Sequence, residues 1–115
     1  MSDLNSALGH LNNALQEVKL AMQRGMALKV MIENTINSAG EASRKLEAAK
    51  ANAYNAIGPR AGNITGMMVV LDDKASLFTQ GAQAQIQQIQ EYLTVANQLQ
   101  RELEQTIAKI RSVMG

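Results

Sequence analysis

The sequence predicts an all-α protein built as a long antiparallel helical hairpin. Three observations carry this. Apolar residues recur at alternating steps of four and three along nearly the whole chain. The only proline lies at the midpoint, inside Gly58-Pro59-Arg60-Ala61-Gly62. The faces between the apolar positions are filled by Ala, Gln, Glu, Leu and Lys, which favour helix.

The first arm is expected to be a helix over about 3–57. Stepping from Leu4, the seam is Leu4, Leu8, Leu11, Leu15, Val18, Met22, Gly25, Lys29, Ile32, Ile36, Ala39, Ser43, Leu46, Lys50, Ala53 and Ile57. Twelve of these sixteen positions are apolar, a density that strand alternation does not produce. Ser2 or Asp3 is placed to cap the helix. The turn follows. Pro59 cannot continue a helix, and Gly58 suits the left-handed conformation that closes one. Gly58, Pro59, Arg60 and Gly62 are the turn residues.

The second arm is expected to be a helix over about 63–114, capped by Asn63 or Thr65. Its seam reads Ile64, Met68, Leu71, Ala75, Phe78 and Ala82. It then shifts by one residue and continues through Ile86, Ile89, Leu93, Ala96, Gln100, Leu103, Ile107, Ile110 and Met114. Met67 to Leu71 has β-like content, but Asp72, Asp73 and the seam favour helix. Gln80, Gln83, Gln85, Gln87, Gln88 and Gln90 make a solvated helix face around Ile86 and Ile89.

Two arms of this length would each run about 80 Å, and a short turn returns them antiparallel. In that register Val18 meets Leu103, Leu11 meets Ile110, and Ile57 meets Ile64. Gly40 and Gly81 fall at one level on facing helices. Glycine inside a helix costs about 1 kcal/mol relative to alanine. The pair therefore marks either a close approach of the backbones or a shared hinge. With a hinge the helices would number four, over about 3–38, 41–57, 63–79 and 82–114.

The 115 residues form one domain, 1–115, with 11 Lys and Arg against 10 Asp and Glu. That balance argues against a dedicated nucleic-acid binder. There is no cysteine and one histidine, His10, which excludes thiolate metal sites and a histidine-rich metal site within one chain. Asp72 and Asp73 are adjacent and diverge by about 100° on a helix, so they do not share a proton-transfer site. The glycine-rich turn lacks the Lys-Ser/Thr ending of a phosphate loop. No enzymatic activity, cofactor or small-molecule substrate is therefore expected. No apolar run reaches the roughly 20 residues of a membrane span, and the N-terminus does not read as a Sec-type signal peptide. The expected location is the cytoplasm, or outside it by a Sec-independent route.

Two helices cannot bury all this apolar surface against each other. Leu28, Met31, Val95 and Leu99 lie off the seam and are the expected interface residues. They predict a homodimer, or a heterodimer with another helical protein, assembled as a four-helix bundle. Two further roles remain open: a filament-forming structural subunit, and a small adaptor or antitoxin-like regulator that uses Arg60.

In layout the chain resembles the small WXG-type proteins of type VII secretion: about a hundred residues, two helices, a central turn and no cysteine. The nearest counterpart of that family's Trp-X-Gly turn is Ile64-Thr65-Gly66. Where the family has a Tyr followed four residues on by an acid, this chain has Tyr92 with Ala96 and Tyr54 with Gly58. The resemblance implies a helical-hairpin dimer acting as an exported carrier or effector partner.

Overall fold

The computed structural model describes residues 2–115, with side chains from Asp3 onward. The protein is all-helical. Helix α1 spans Ser2–Ile57, a short 3-10 helix spans Gly58–Ala61, and helix α2 spans Gly62–Met114. Among the described residues there is no strand. Met67 to Leu71 is helical, because the heptad pattern on either side holds it there.

Gly58 ends α1 with φ +61, the left-handed geometry expected of it. Pro59 then sits at the start of the 3-10 turn, where a missing N–H costs nothing. Among the described residues Ala61 alone has no exposed surface, so the turn closes on a methyl group. Helix α2 begins at once, with Gly62 already right-handed helical. Thr65 does not cap it. Its hydroxyl donates instead to the Gly62 carbonyl, 3.0 Å away. Asp3 lies in the first turn of α1, where a carboxylate complements the helix dipole. The alternative cap, the Ser2 side chain, lies outside the described residues.

At the glycine pair the first of the two readings, unbroken helices, matches the secondary structure. Both helices run without interruption through Gly40 and Gly81, so the chain does not divide into four helices. Nor do these glycines mark a close approach. A Cβ built at either would meet no atom within 4 Å. Among the glycines within the two helices, the one that does face a neighbour is Gly25, where a Cβ would lie 3.1 Å from Leu93 Cδ2.

The described residues form two compact units, each drawing on both helices. One comprises 1–29 and 88–115, and the other 30–87. In the first, Leu15 and Ile107 are buried, at 8% and 5% exposure, and Gly25 packs on Leu93. In the second, Ala61 and Ala82 are the only buried apolar residues.

The expected α1 seam is the line turned away from solvent. Of its sixteen positions only Ile57 is exposed. In α2 the inward line differs from expectation in its first half. It runs Ala61, Thr65, Met68, Asp72, Ala75, Thr79 and Ala82, then Ile86 to Met114 as expected, with no shift of register. Ile64, Leu71 and Phe78 are exposed at 43%, 52% and 54%. The cause is continuity. A one-residue shift of the seam requires the helix to unwind or overwind locally, and one register held throughout avoids that. The strongly apolar register of Ile86–Met114 therefore extends back to the turn, and it carries Thr65, Asp72 and Thr79 inward.

Candidate interaction surface

With seam residues as heptad positions a and d, position a falls at Leu8, Leu15 and every seventh residue of α1. In α2 it falls at Thr65, Asp72 and onward. The residue before each a is g, and the residue after each d is e. These two lines flank the seam on opposite sides.

They differ in character. Position g holds Ala7, Ala14, Ala21, Leu28, Thr35, Ala42, Ala49 and Ala56 in α1. In α2 it holds Ile64, Leu71, Phe78, Gln85, Tyr92, Leu99, Thr106 and Val113. None of the sixteen carries a charge. Position e carries Lys19, Glu33, Glu47, Glu104 and Arg111 among its sixteen. The g line is thus unsuited to facing water, and the e line is an ordinary solvated flank.

In each unit a shallow groove opens on the g side. In the unit of 1–29 and 88–115 it is lined by Ala21, Gly25, Leu28, Ile89, Tyr92 and Ala96 among others. In the unit of 30–87 it is lined by Ile32, Thr35, Leu77, Phe78, Gly81, Ala82 and Gln85. Each groove brings g residues of α1 and α2 to one side.

Of the expected interface residues, Leu28 and Leu99 occupy g, and Met31 and Val95 occupy the adjacent position c. All four are exposed, between 45% and 64%. Sequence reasoning missed the larger part of this surface, Ile64, Leu71 and Phe78, because it placed them inside. The signal was present: their seven-residue spacing continues into Tyr92, Leu99 and Val113.

Several polar groups turned inward have local partners. The Thr79 hydroxyl donates to the Ala75 carbonyl at 3.0 Å. Lys50 Nζ lies 2.8 Å from Glu47 Oε1. That hydrogen bond raises the Lys50 ammonium above its ordinary 10.5. Partial desolvation opposes it, and the charges of Glu47 and, on α2, Asp72 reinforce it. Glu41 and Arg44 form a further exposed pair. Among the described residues no buried polar side-chain atom lacks a partner. No group of three or more His, Asp or Glu is placed to hold a metal ion among them. No described helix is long and apolar enough to cross a membrane.

Comparison with protein-family models, with curated proteins and with solved structures returns no match to this chain.

Proposed function

We propose that the chain is a non-enzymatic helical interaction protein. It folds back as an antiparallel hairpin and self-associates, or pairs with another helical protein, as a four-helix bundle. The observation that carries this reading is the scarcity of core. Among the described residues only Leu15, Ala61, Ala82 and Ile107 are buried apolar residues, and no large side chain is fully buried. Meanwhile Phe78, Tyr92, Leu77, Met67 and many other large apolar residues are half or more exposed. The layout shared with small type VII secretion proteins supports a carrier or effector partner as the setting for such a module.

Light scattering coupled to size-exclusion chromatography tests the reading. The expected result is a fixed mass of two chains over a wide concentration range. A compact monomer at every concentration, with no binding of hydrophobic dye to its surface, would refute it.

A further inference from the structure

We propose that the g side of the unit formed by residues 30–87 is the docking face for a second copy of this chain. In that contact the alanine line of α1 receives the large apolar line of α2 from the partner, and the reverse contact follows by two-fold symmetry. The inference rests on the self-association proposed above and adds to it the face and the occupant.

This unit is built inside out along α2. Its inward positions are mostly small or polar: Ala61, Thr65, Asp72, Ala75, Thr79 and Ala82. Its large apolar residues Ile64, Met67, Leu71, Leu77 and Phe78 point outward, at 43% to 70% exposure. On α1 the corresponding line is Thr35, Ala42, Ala49 and Ala56. Small side chains let a neighbouring helix approach closely, and large ones supply the ridge that fills the space. One chain therefore carries both halves of a complementary contact, which is the requirement for an isologous interface. A foreign partner would have to supply both halves again.

Charge agrees. All eight g positions of this unit are uncharged, and two nearby ion pairs, Glu41 with Arg44 and Glu47 with Lys50, are neutralised within α1. The groove over Ile32 and Ala82, flanked by Thr35 and Phe78, gives the ridge of the second copy a seat. The g side outranks the e side on the same grounds, because e offers Glu33, Glu47 and Tyr54 with no matching line of alanines.

The experiment uses the full wild-type chain and two substitutions. Hydroxyl-radical footprinting of the wild type at a concentration where it is a dimer compares exposed residues of this unit. Met67 and Phe78 should react at least tenfold more slowly than expected for their exposure in the single chain, while Tyr54 on the e side should not be protected. Sedimentation equilibrium then follows Phe78→Lys and, as control, Val69→Lys at position e. Phe78→Lys should weaken self-association at least 100-fold, and Val69→Lys should change it less than threefold. A dimer in which Tyr54 is protected and Phe78 reacts freely overturns the proposed face and leaves self-association standing. A wild-type chain that is monomeric throughout overturns both. The footprint needs no variant to fold, so a Phe78→Lys chain that loses helicity does not blunt the test. Open-ended growth instead of a closed dimer also overturns the proposal.

Discussion

Three glycines of this chain make a graded test of the structure. Gly40 lies in mid-helix with no atom within 4 Å of where a Cβ would stand. Gly40→Ala should therefore gain the helix preference of alanine, about 1 kcal/mol. Gly25 would gain the same, but its Cβ would stand 3.1 Å from Leu93 Cδ2 and 3.7 Å from Leu93 Cγ. Leu93 must give way by a few tenths of an ångström within the inward line, and overpacking there costs roughly 1–3 kcal/mol. Gly25→Ala should thus be neutral to destabilising by about 2 kcal/mol. Gly58 has open space around it but φ +61. A side chain there costs about 1–2 kcal/mol from backbone strain alone. For 115 residues the unfolding entropy is about 0.24 kcal/mol/K, so 1 kcal/mol moves the midpoint about 4 °C. Thermal unfolding followed by circular dichroism at one fixed chain concentration should place Gly40→Ala about 4 °C above wild type. Gly58→Ala should fall about 4–8 °C below it. A lower midpoint for Gly40→Ala would mean that Gly40 is in close contact after all. A higher midpoint for Gly58→Ala would refute the left-handed turn.

Further outcomes are expected. Leu15→Ala and Ile107→Ala remove the two large side chains that are buried, and each should cost about 2–4 kcal/mol in denaturant unfolding. Val95→Asp combined with Leu99→Asp should lower the assembled mass in sedimentation while leaving most helicity intact, because both residues are exposed within the chain. Lys50 binds its proton more tightly in the folded chain than at its ordinary 10.5. Its contribution to stability is therefore present below pH 10.5 and lost as pH rises through the raised folded value. In an NMR titration Glu47→Gln should lower the Lys50 value more than Asp72→Asn does, since the Glu47 hydrogen bond is the larger cause.

The all-helical character was legible in the sequence because its signals are local and repeated. Gly58-Pro59 fixes the turn by sterics alone, and Leu4 to Leu46 repeats one heptad register without a competing one. The first half of α2 was misread for a physical reason. Two apolar lines run there side by side, Met68-Ala75-Ala82 and Ile64-Leu71-Phe78, and hydrophobicity favours the wrong one. The inward line is the one that keeps a single register into Ile86–Met114, a constraint from outside the window being read. A Cβ at Gly40 or Gly81 would meet nothing within 4 Å, whereas Gly25, the one seam position of α1 without a side chain, packs on Leu93. The exposure of Leu28 and Leu99 follows from their place off the seam. The larger g line was not legible, because half of it had been assigned to the interior.

The placement of the better apolar interior in the unit of 1–29 and 88–115 has a kinetic consequence. A chain of this connectivity would ordinarily zip outward from its turn, where contacts are nearest in sequence. Here the α2 side of the turn-proximal interior offers mainly alanine, threonine and one Asp72, against Ile32, Ile36 and Leu46 on α1, and rewards zipping less than the leucine-rich ends do. The leucine-rich ends can meet only by closing a loop of 58 residues, 30–87. Against a four-residue turn, that closure costs about 2 kcal/mol more. Refolding should therefore be slow for a two-helix topology and accelerate with chain concentration, as an encounter between two copies covers the turn-proximal half before the ends have met.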